Sequence, residues 1–523
     1  MPQLWGTRPE EPIRVLRKSL VFDLAALVFL SPCITSLSRL SGWRLIEACQ
    51  HVSASFARYV FPVAFKFTMT ARRTRWGGLA GGKLKPAGYF HAAEHDGVFW
   101  LVDPDGGRFL SKGVNSVRLD QDRIRTGERF PYAEACTHLY RNADEWRGAA
   151  AGRLAQWGFN TLGAWSDESV ARAGNAPLAV TPILDLGMSH LWRDDTAPSV
   201  PIKQEFPDIF HSDFERHVCD RACELCQPRC REQNILGWFI DNELSWGPDW
   251  RGSSELLTLF LNLGVGCAGR SAARAWLHQR YPDFARFNAI WRTPAHSWDL
   301  FEQLAQVAPP YRRKPAYERK SDDEEAANRA DFNRAAFAGD CDAFAALVAE
   351  RYFAMTARAI KVVDTNHLVL GCRFAYLPPP GVVEAAARHN DIVSFNCYDR
   401  DPSPLIAAYA TAGKPSLIGE FSFRAADSGL PNTDGAGPLV ANQAERAEGF
   451  RRYAAAALRH PRVVGYHWFE HADQPAEGRF DGENSNFGIV TIDDRVYCEL
   501  AEAMTSLNSS AEDIHAAAAC AMA

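Results

Sequence analysis

The sequence lacks a dominant charge of either sign. Its 57 basic and 63 acidic residues leave a formal net charge of −6 over 523 residues. Proteins that bind nucleic acid need a basic surface to neutralise phosphates, so this composition predicts no nucleic-acid partner. The sequence also lacks an uninterrupted apolar run of the roughly 20 residues that a transmembrane helix needs. We therefore expect no stable membrane span.

One apolar run near the N-terminus has the size of a signal peptide. The run SLVFDLAALVFLSPC follows Arg14, Arg17 and Lys18, but Asp23 interrupts it. No cleavage site with small residues follows it cleanly, and Cys33 matches a lipoprotein cysteine only loosely. The sequence thus does not decide whether residues 14–33 are a signal peptide or an anchor. It slightly favours a cytoplasmic location over export or lipid anchoring.

Thirteen cysteines are present, without the spacing framework of a small disulfide-rich secreted domain. In CDRACELCQPRC, Cys219, Cys223 and Cys226 match the spacing of radical SAM iron–sulphur enzymes. The same spacing is typical of one helix face. A helix here would have an apolar stripe of Val218, Cys219, Ala222, Cys223, Leu225 and Cys226. We favour the helix and keep the radical SAM enzyme as an alternative.

Two common catalytic patterns are missing. No Ser–His–Asp nucleophile elbow occurs. His467 and His471 are four residues apart, but they flank a strand end rather than lie on a helix, so they do not indicate a metal site. The sequence therefore predicts neither a metal nor a cofactor.

Eight short apolar runs alternate with helical patterns along most of the chain. They are RFLSKGVNSV, GFNTLGAWSD, LAVTPILDLGMSH, NILGWFIDNE, HLVLGCRF, DIVSFNCY, PSLIGEF and VVGYHWFE. Such alternation favours a parallel sheet. Eight units predict an α/β fold of the (β/α)8 TIM-barrel type, in which the active site lies at the C-terminal ends of the strands.

The spacing of these runs predicts the domain organisation. The gap between the fourth and fifth runs is too long for one connection, so we expect an inserted helical subdomain at about 251–340. The barrel then spans 86–508, after an N-terminal leader or accessory segment at 1–85 and before a tail at 509–523. Before the first barrel strand, FWLVDPDGGRFL predicts a hairpin with an Asp-Gly turn.

Glutamates lie at the ends of the fourth and seventh runs. NILGWFIDNELSWG carries Glu243 at the end of the fourth run, and LIGEF carries Glu420 near the end of the seventh. Retaining glycosidases need a nucleophilic carboxylate and a carboxylic acid about 5–5.5 Å apart. The strand ends of a barrel bring residues this distant in sequence together. We expect a raised pKa for Glu243 and an ionised Glu420.

Several motifs resemble one enzyme family. FWLVDPDGGRFLSKGVNSV, WGFNTLGAW and LGWFIDNELSWG resemble β-agarase-type clan A glycoside hydrolases and their β-galactosidase-like relatives, over roughly residues 85–508. The resemblance implies a TIM-barrel O-glycosyl hydrolase without a cofactor. It also implies Glu243 as acid/base, Glu420 as nucleophile, and cleavage of β-linked, galactose-containing, agarose-like chains.

The resemblance assigns further residues. Asn242 would hold the sugar 2-hydroxyl, Tyr398 would hydrogen-bond the nucleophile, and Trp468 would form the aromatic floor of a sugar subsite. The residues themselves suggest Arg373 as a cation near Glu420. The other substrate-binding candidates are Asn115, Trp165, His190 and Trp246.

A barrel that only binds carbohydrate is a second alternative. The paired Glu243 and Glu420 argue against it, because a binding module has no need for two catalytic carboxylates.

Overall fold

The computed structural model describes residues 72–81, 84–192, 206–313 and 331–518. These residues belong to one compact unit that begins at Arg72. The apolar run at 14–33, with its predicted signal or anchor, lies outside the described residues. None of the helices that the structure describes combines the length and the apolar content of a membrane span.

A three-stranded antiparallel sheet precedes the parallel strands. It contains β1 (His91–His95), β2 (Val98–Val102) and β3 (Arg108–Phe109), in that order. The carboxylate of Asp103 caps the turn between β2 and β3 by accepting the backbone N–H groups of Asp105 and Gly107 at 3.0 and 2.8 Å. The predicted Asp-Gly hairpin is confirmed.

Eight short strands then follow, each inside one of the predicted apolar runs. They are β4 (Ser111–Val114), β5 (Thr161–Leu162), β6 (Ala179–Val180), β7 (Gly237–Phe239), β8 (Leu368–Gly371), β9 (Val393–Asn396), β10 (Ser416–Phe421) and, after the small pair β11 (Arg424–Ala425) and β12 (Leu439–Val440), β13 (Val463–Trp468). Every residue of the eight is buried. Continuous apolar runs are typical of parallel strands covered on both faces.

Pairings and bridges connect each of the eight parallel strands to a neighbour on both sides. Six strands pair in parallel in the order β6-β5-β4-β13-β10-β9, and β7 pairs in parallel with β8. Isolated parallel bridges join Val180 to Ile235, Ile183 to Phe239, and Phe374 to Phe395. The carboxyl ends of all eight strands therefore lie on one side, and the predicted α/β class is confirmed in its general form.

Helices fill the connections. The described α-helices are α1 (Pro131–Cys136), α2 (Ala143–Gln156), α3 (Met188–Leu191), α4 (Phe214–Leu225), α5 (Leu256–Leu261), α6 (Ala268–Arg280), α7 (Phe284–Trp291), α8 (Trp298–Gln303), α9 (Phe332–Val363), α10 (Pro380–His389), α11 (Ser403–Ala410), α12 (Gln443–Leu458) and α13 (Cys498–Ala516). Side chains cap several of them. Asn142 accepts the backbone N–H of Glu145 before α2, and Asp331 accepts that of Asn333 before α9.

The helices between β7 and β8 share the main core. Phe260, Leu277, Phe287 and Phe301, one from each of α5 to α8, are buried in the same cluster as the long helix α9. The α9 residues that face it recur at helical spacing: Phe337, Cys341, Phe344, Val348 and Tyr352. The described part of the predicted insertion contains α5 to α8 and the start of α9, and its apolar residues are continuous with the rest of the core.

Both predicted boundaries of the barrel region differ from the structure. The tail expected from residue 509 is helical as far as Ala516, because Ala511 and His515 are buried on one face of α13. The segment expected to lead in as far as residue 85 contributes Trp76, buried with Phe90 in a second apolar cluster.

Candidate active site

A cavity of about 1230 Å³ opens where the parallel strands end. Each strand contributes one wall residue at or just beyond its carboxyl end: Ser116, Trp165, Asp185, Glu243, Ala375, Tyr398, Glu420 and Phe469. Both predicted catalytic glutamates line this cavity. A concave site with convergent polar groups at this position is the expected location for catalysis in such folds.

Glu243 lies just beyond β7, in a left-handed backbone conformation with φ of 51°. Its backbone N–H donates to the carbonyl of Cys372 at 3.1 Å, and its Oε1 accepts from Asn396 Nδ2 at 2.8 Å. Burial raises the pKa of Glu243 to about 7, with a further contribution from the negative charge of Glu420. The carboxyl group can therefore carry a proton near neutral pH, as an acid catalyst must.

Glu420 has a different environment. Its Oε1 lies 2.8 Å from Arg373 Nη2, and its Oε2 accepts from the Tyr398 hydroxyl at 2.6 Å. Burial raises the pKa of Glu420, while Arg373 and then Tyr398 oppose that rise. Both partners stabilise the ionised form, which is the nucleophilic one.

Arg373 is fully buried behind the cavity wall. Its Nη2 also donates to the carbonyl of Gly419 at 2.9 Å, and its guanidinium lies 4.6 Å from the centre of the Trp165 ring. Burial lowers the pKa of Arg373, and the charges of Glu420 and Glu243 oppose that change. The structure thus brings together the cation and carboxylate expected from the sequence.

Asn115 does not face the cavity. Its Nδ2 donates to the carbonyls of Gly419 at 2.9 Å and Trp468 at 3.2 Å, and its Oδ1 accepts the backbone N–H of Ala164 at 2.9 Å. The side chain is completely buried. Asn115 therefore joins neighbouring strand ends rather than binding substrate as predicted.

Asn242 and Trp165 do line the cavity. Asn242 Oδ1 accepts from Asn396 Nδ2 at 3.5 Å, so one amide contacts both Asn242 and Glu243. The Trp165 side chain is 37% exposed, with its backbone at φ of 59°. Both are placed where a bound sugar could contact them.

Two predicted sugar platforms lie in the core instead. Trp468 is 0% exposed, and its Nε1 donates to the carbonyl of Phe487 at 2.9 Å. Trp246 is 4% exposed and stacks on Phe353 at 5.4 Å. Successive strand residues face opposite sides, so the residue after Trp468 reaches the cavity. That residue is Phe469.

His190 also lies away from the cavity. Its neighbours Met188 and Leu191 line the wall, but His190 Nε2 is 2.9 Å from Asp213 Oδ1. The substrate-binding role predicted for His190 is not supported by this placement, because the helical turn of α3 directs it to the other side.

Asp241, two residues before Glu243, is structural. Its carboxylate accepts the backbone N–H groups of Gly187 and Met188 at 2.7 and 3.0 Å and the hydroxyl of Tyr352. It is fully buried, and burial raises its pKa to about 7. Asp241 thus ties the start of α3 to the end of β7.

A charged group in the cavity wall was missed from the sequence. Arg479 Nη2 lies 2.8 Å from Glu483 Oε2 and 2.9 Å from Asp481 Oδ2, with Asp122 Oδ1 at 3.7 Å from Nη1. All four residues line the cavity. The aromatic residues Trp192, Trp250, Tyr376 and Phe480 also line it. Of these aromatic residues, only Trp250 could have been found from the sequence, because it lies close after Glu243. The other three lie in segments without a strand or helix pattern that would place them at the site.

The cysteine-rich helix gives no support to an iron–sulphur site. On α4, Val218 and Ala222 are buried and Cys223 is exposed, so the predicted apolar stripe is wrong at Cys223. Cys226 is buried, and burial raises the pKa of its thiol to about 12. Cys219 and Cys223 lie on the helix and Cys226 at its C-cap, so the three do not form the loop that a cluster motif needs.

The resemblance inferred from the motifs is confirmed by comparison with known proteins. β-Agarase A of Vibrio sp. (strain JT0107) is 29% identical over 493 residues, which cover 81% of this chain and 46% of the agarase. β-Agarase B of the same organism is 26% identical over 507 residues, which cover 83% of this chain and 50% of that agarase. This chain therefore spans about half the length of these relatives. No model of a known protein family matches it.

Solved structures support the fold. An exo-β-agarase superimposes with a TM-score of 0.68 at 23% identity, covering 92% of this chain and 72% of that chain. A second agarase gives a TM-score of 0.66 at 24% identity, and the match covers 92% of this chain and 72% of that agarase. At these identities the likeness concerns the fold alone.

Proposed function

We propose that this chain is a retaining O-glycosyl hydrolase that cleaves β-glycosidic bonds in galactose-containing, agarose-like chains. The observation that carries the proposal is the unequal pair of carboxylates at one cavity. Glu243 has a pKa raised to about 7, while Glu420 is paired with Arg373 and Tyr398. Environments that make two carboxyl groups differ in this way are typical of glycosidase acid and nucleophile pairs.

Each glutamate has one role in the first step. Protonated Glu243 gives its proton to the glycosidic oxygen as the bond to the anomeric carbon breaks. The Glu420 carboxylate attacks that carbon and forms a covalent glycosyl-enzyme. Arg373 and Tyr398 hold Glu420 in its ionised form and fix its two oxygens in place.

The second step reverses these roles. Glu243, now a carboxylate, takes a proton from water, and the water oxygen attacks the anomeric carbon. The bond to Glu420 breaks, which releases a sugar with its original anomeric configuration and restores both side chains. No step needs a metal or a cofactor.

The strand pairings support a (β/α)8 barrel as the scaffold. Parallel pairings and bridges pass through all eight strands, and β13 pairs with β4. In this proposal the catalytic region spans about 86–508 and the helices α5 to α8 form an insertion between the fourth and fifth barrel strands. Glu243 then follows the fourth strand and Glu420 lies in the seventh.

The cavity favours an oligosaccharide as substrate. Its volume of about 1230 Å³ exceeds the roughly 300–1,000 Å³ of small-molecule pockets. Trp165, Trp250 and Phe469 present aromatic side chains in its wall, and aromatic faces suit the apolar faces of sugar rings. The galactan specificity rests on the similarity to β-agarases.

Neither alternative function gains support. A silent carbohydrate-binding barrel gives no reason for Glu420 to be paired with both Arg373 and Tyr398 beside a protonatable Glu243. The radical SAM alternative requires a loop of reactive thiols, whereas Cys219 and Cys223 lie on helix α4 and Cys226 is buried at its C-cap.

The test follows the stereochemistry of the product. The purified chain is incubated with β-linked agaro-oligosaccharides, and proton NMR records which anomer forms first. We expect the β-anomer, followed by slow mutarotation. First appearance of the α-anomer would show inversion and assign Glu420 as a base. Absence of hydrolysis of every β-galactan tested, under conditions where the chain is folded, would overturn the proposal.

A further inference from the structure

Two histidines and an aspartate converge outside the catalytic cavity. His190 lies on α3, while His211 and Asp213 lie in the turn that leads into α4. One ligand atom from each of the three residues lies within 4.8 Å of the other two. We propose that His190, His211 and Asp213 bind a divalent transition-metal ion of the zinc class.

The donor atoms favour this type of metal. Two imidazole nitrogens and one carboxylate oxygen form a ligand set that suits Zn²⁺, whereas Ca²⁺ and Mg²⁺ prefer oxygen alone. Three protein ligands leave one tetrahedral position open. The His211 side chain is half exposed, so water can reach that position.

The hydrogen-bond geometry at His211 supports a cation. The backbone N–H of Asp213 points at His211 Nδ1 at 3.3 Å, which requires a lone pair on that nitrogen. The Asp213 carboxylate, which has only acceptors when ionised, contacts the same nitrogen. Two acceptors facing each other need a proton on one of them or a metal ion that both bind. A metal ion bound by both would use the Nδ1 lone pair and would replace the backbone N–H as its partner.

The same carboxylate oxygen serves the second histidine. Asp213 Oδ1 is 2.9 Å from His190 Nε2 and also contacts His211 Nδ1. His217 lies close, with its ring centre 5.3 Å from that of His190, but its Nε2 is 2.8 Å from the Ser189 hydroxyl. The proposed ligand set is therefore His190, His211 and Asp213.

One neighbouring charge opposes metal binding. The guanidinium of Arg216 lies 3.7 Å from Asp213 Oδ2, and its side chain is 72% exposed. Solvent screens a charge this exposed, so it weakens the site without excluding a cation.

A metal here would join two elements that the sequence separates. Met188 and Leu191 line the catalytic cavity on either side of His190. Coordination would fix the short helix α3 to the N-terminus of α4. The site would therefore hold part of the cavity wall without touching substrate.

The test measures Zn²⁺ bound by the full chain after chelator treatment and removal of the chelator. We expect about one zinc per chain by equilibrium dialysis. The variants His190→Ala, His211→Ala and Asp213→Asn should each lower zinc affinity by about 10-fold or more. Asp213→Asn is isosteric and keeps one acceptor, which separates ligand loss from misfolding.

Two controls separate this site from other zinc binders. His278→Ala removes an imidazole that is paired with a single carboxylate, Glu302, and should leave binding unchanged. Cys223→Ser removes the most exposed thiol of α4 and should also leave it unchanged. Cobalt in place of zinc should give a spectrum without a sulphur-to-metal charge-transfer band.

Three outcomes would overturn the proposal. One is the absence of saturable zinc binding by the folded chain. Another is equal affinity in the wild type and in the folded Asp213→Asn variant. The third is a sulphur charge-transfer band that disappears in Cys223→Ser, which would assign the metal to the cysteines.

Discussion

The two ends of the parallel strands differ in chemistry. Near their amino ends, apolar side chains such as Leu236, Ile392 and Val464 pack in a cluster with Trp76 and Phe109.

At the carboxyl ends, the side chains of Glu420, Arg373 and Tyr398 are enclosed together with Glu243. Apolar burial stabilises the fold, whereas enclosing charges costs free energy unless each is paired.

The two ends of the strands thus serve stability and function separately. The apolar end offsets the cost of the charged end, so each end should respond to substitution in its own way. Substitutions at the apolar end should change the free energy of unfolding. Substitutions at the charged end should change the reaction.

The largest effect is expected at the nucleophile. Glu420→Gln should lower kcat by about 10⁴-fold or more, because no covalent intermediate can form. The loss should be similar for a natural oligosaccharide and for an aryl glycoside with an activated leaving group, measured by product release.

Glu243→Gln is the matched variant. This substitution should lower kcat by about 10²–10⁴-fold with the natural substrate. With an activated aryl glycoside the cost should be much smaller in the first step, because that leaving group needs no proton. Equal losses for both substrates in both variants would contradict the assigned roles.

The next effect concerns the apolar end. Phe109 is 0% exposed and packs edge-on against Phe90 at 5.1 Å. Phe109→Ala should lower the free energy of unfolding by about 3–5 kcal/mol, measured by denaturant titration, with little change in kcat of the folded protein. Leu139→Ala is the control, since Leu139 is 57% exposed and should change stability by less than about 0.5 kcal/mol.

A smaller effect concerns the pH profile. Because the pKa of Glu243 is raised to about 7, kcat/KM should fall as the pH rises through that value. Loss of the proton removes the acid needed for bond cleavage, and the fall should approach about tenfold per pH unit. The same limb should be absent in Glu243→Gln. A limb that persists in that variant would belong to another group.

The smallest effect is expected at Tyr398. Its hydroxyl stabilises ionised Glu420, so Tyr398→Phe should raise the pKa of Glu420. The acidic limb of kcat/KM should then move to higher pH by about one unit or less.

Tyr140→Phe removes a similar bond to the Asp494 carboxylate, outside the cavity wall, and should leave that limb in place. A shift in the opposite direction for Tyr398→Phe would contradict the stabilising role of the hydroxyl.

Much of the fold was predictable from local sequence. Each predicted apolar run contains one of the eight parallel strands, because buried strands need continuous apolar residues wherever they lie. The Asp-Gly turn before β3 was also predicted, since its backbone geometry depends on a few adjacent residues. The end of α13 at Ala516 was not predicted, because the burial of Ala511 and His515 is a tertiary contact that the sequence alone does not show.

The candidate site was predictable only in part. Glu243, Glu420 and Arg373 were identified because each follows or ends an apolar run, and Tyr398 was identified from the family resemblance. Trp468 was chosen for a sugar platform, but the neighbouring Phe469 lines the cavity. A one-residue difference decides which side of a strand a side chain faces, and the sequence alone does not fix that register.

The sequence by itself determined the strands, the polar strand ends and the two candidate carboxylates, because these depend on short runs of residues. Only the tertiary structure decided which groups surround them. It brought Arg373 to Glu420, Arg479 to Asp122, and His190 to His211 and Asp213. The pKa of a carboxyl group depends on burial and on charges a few ångströms away, and these distances exist only after the chain has folded.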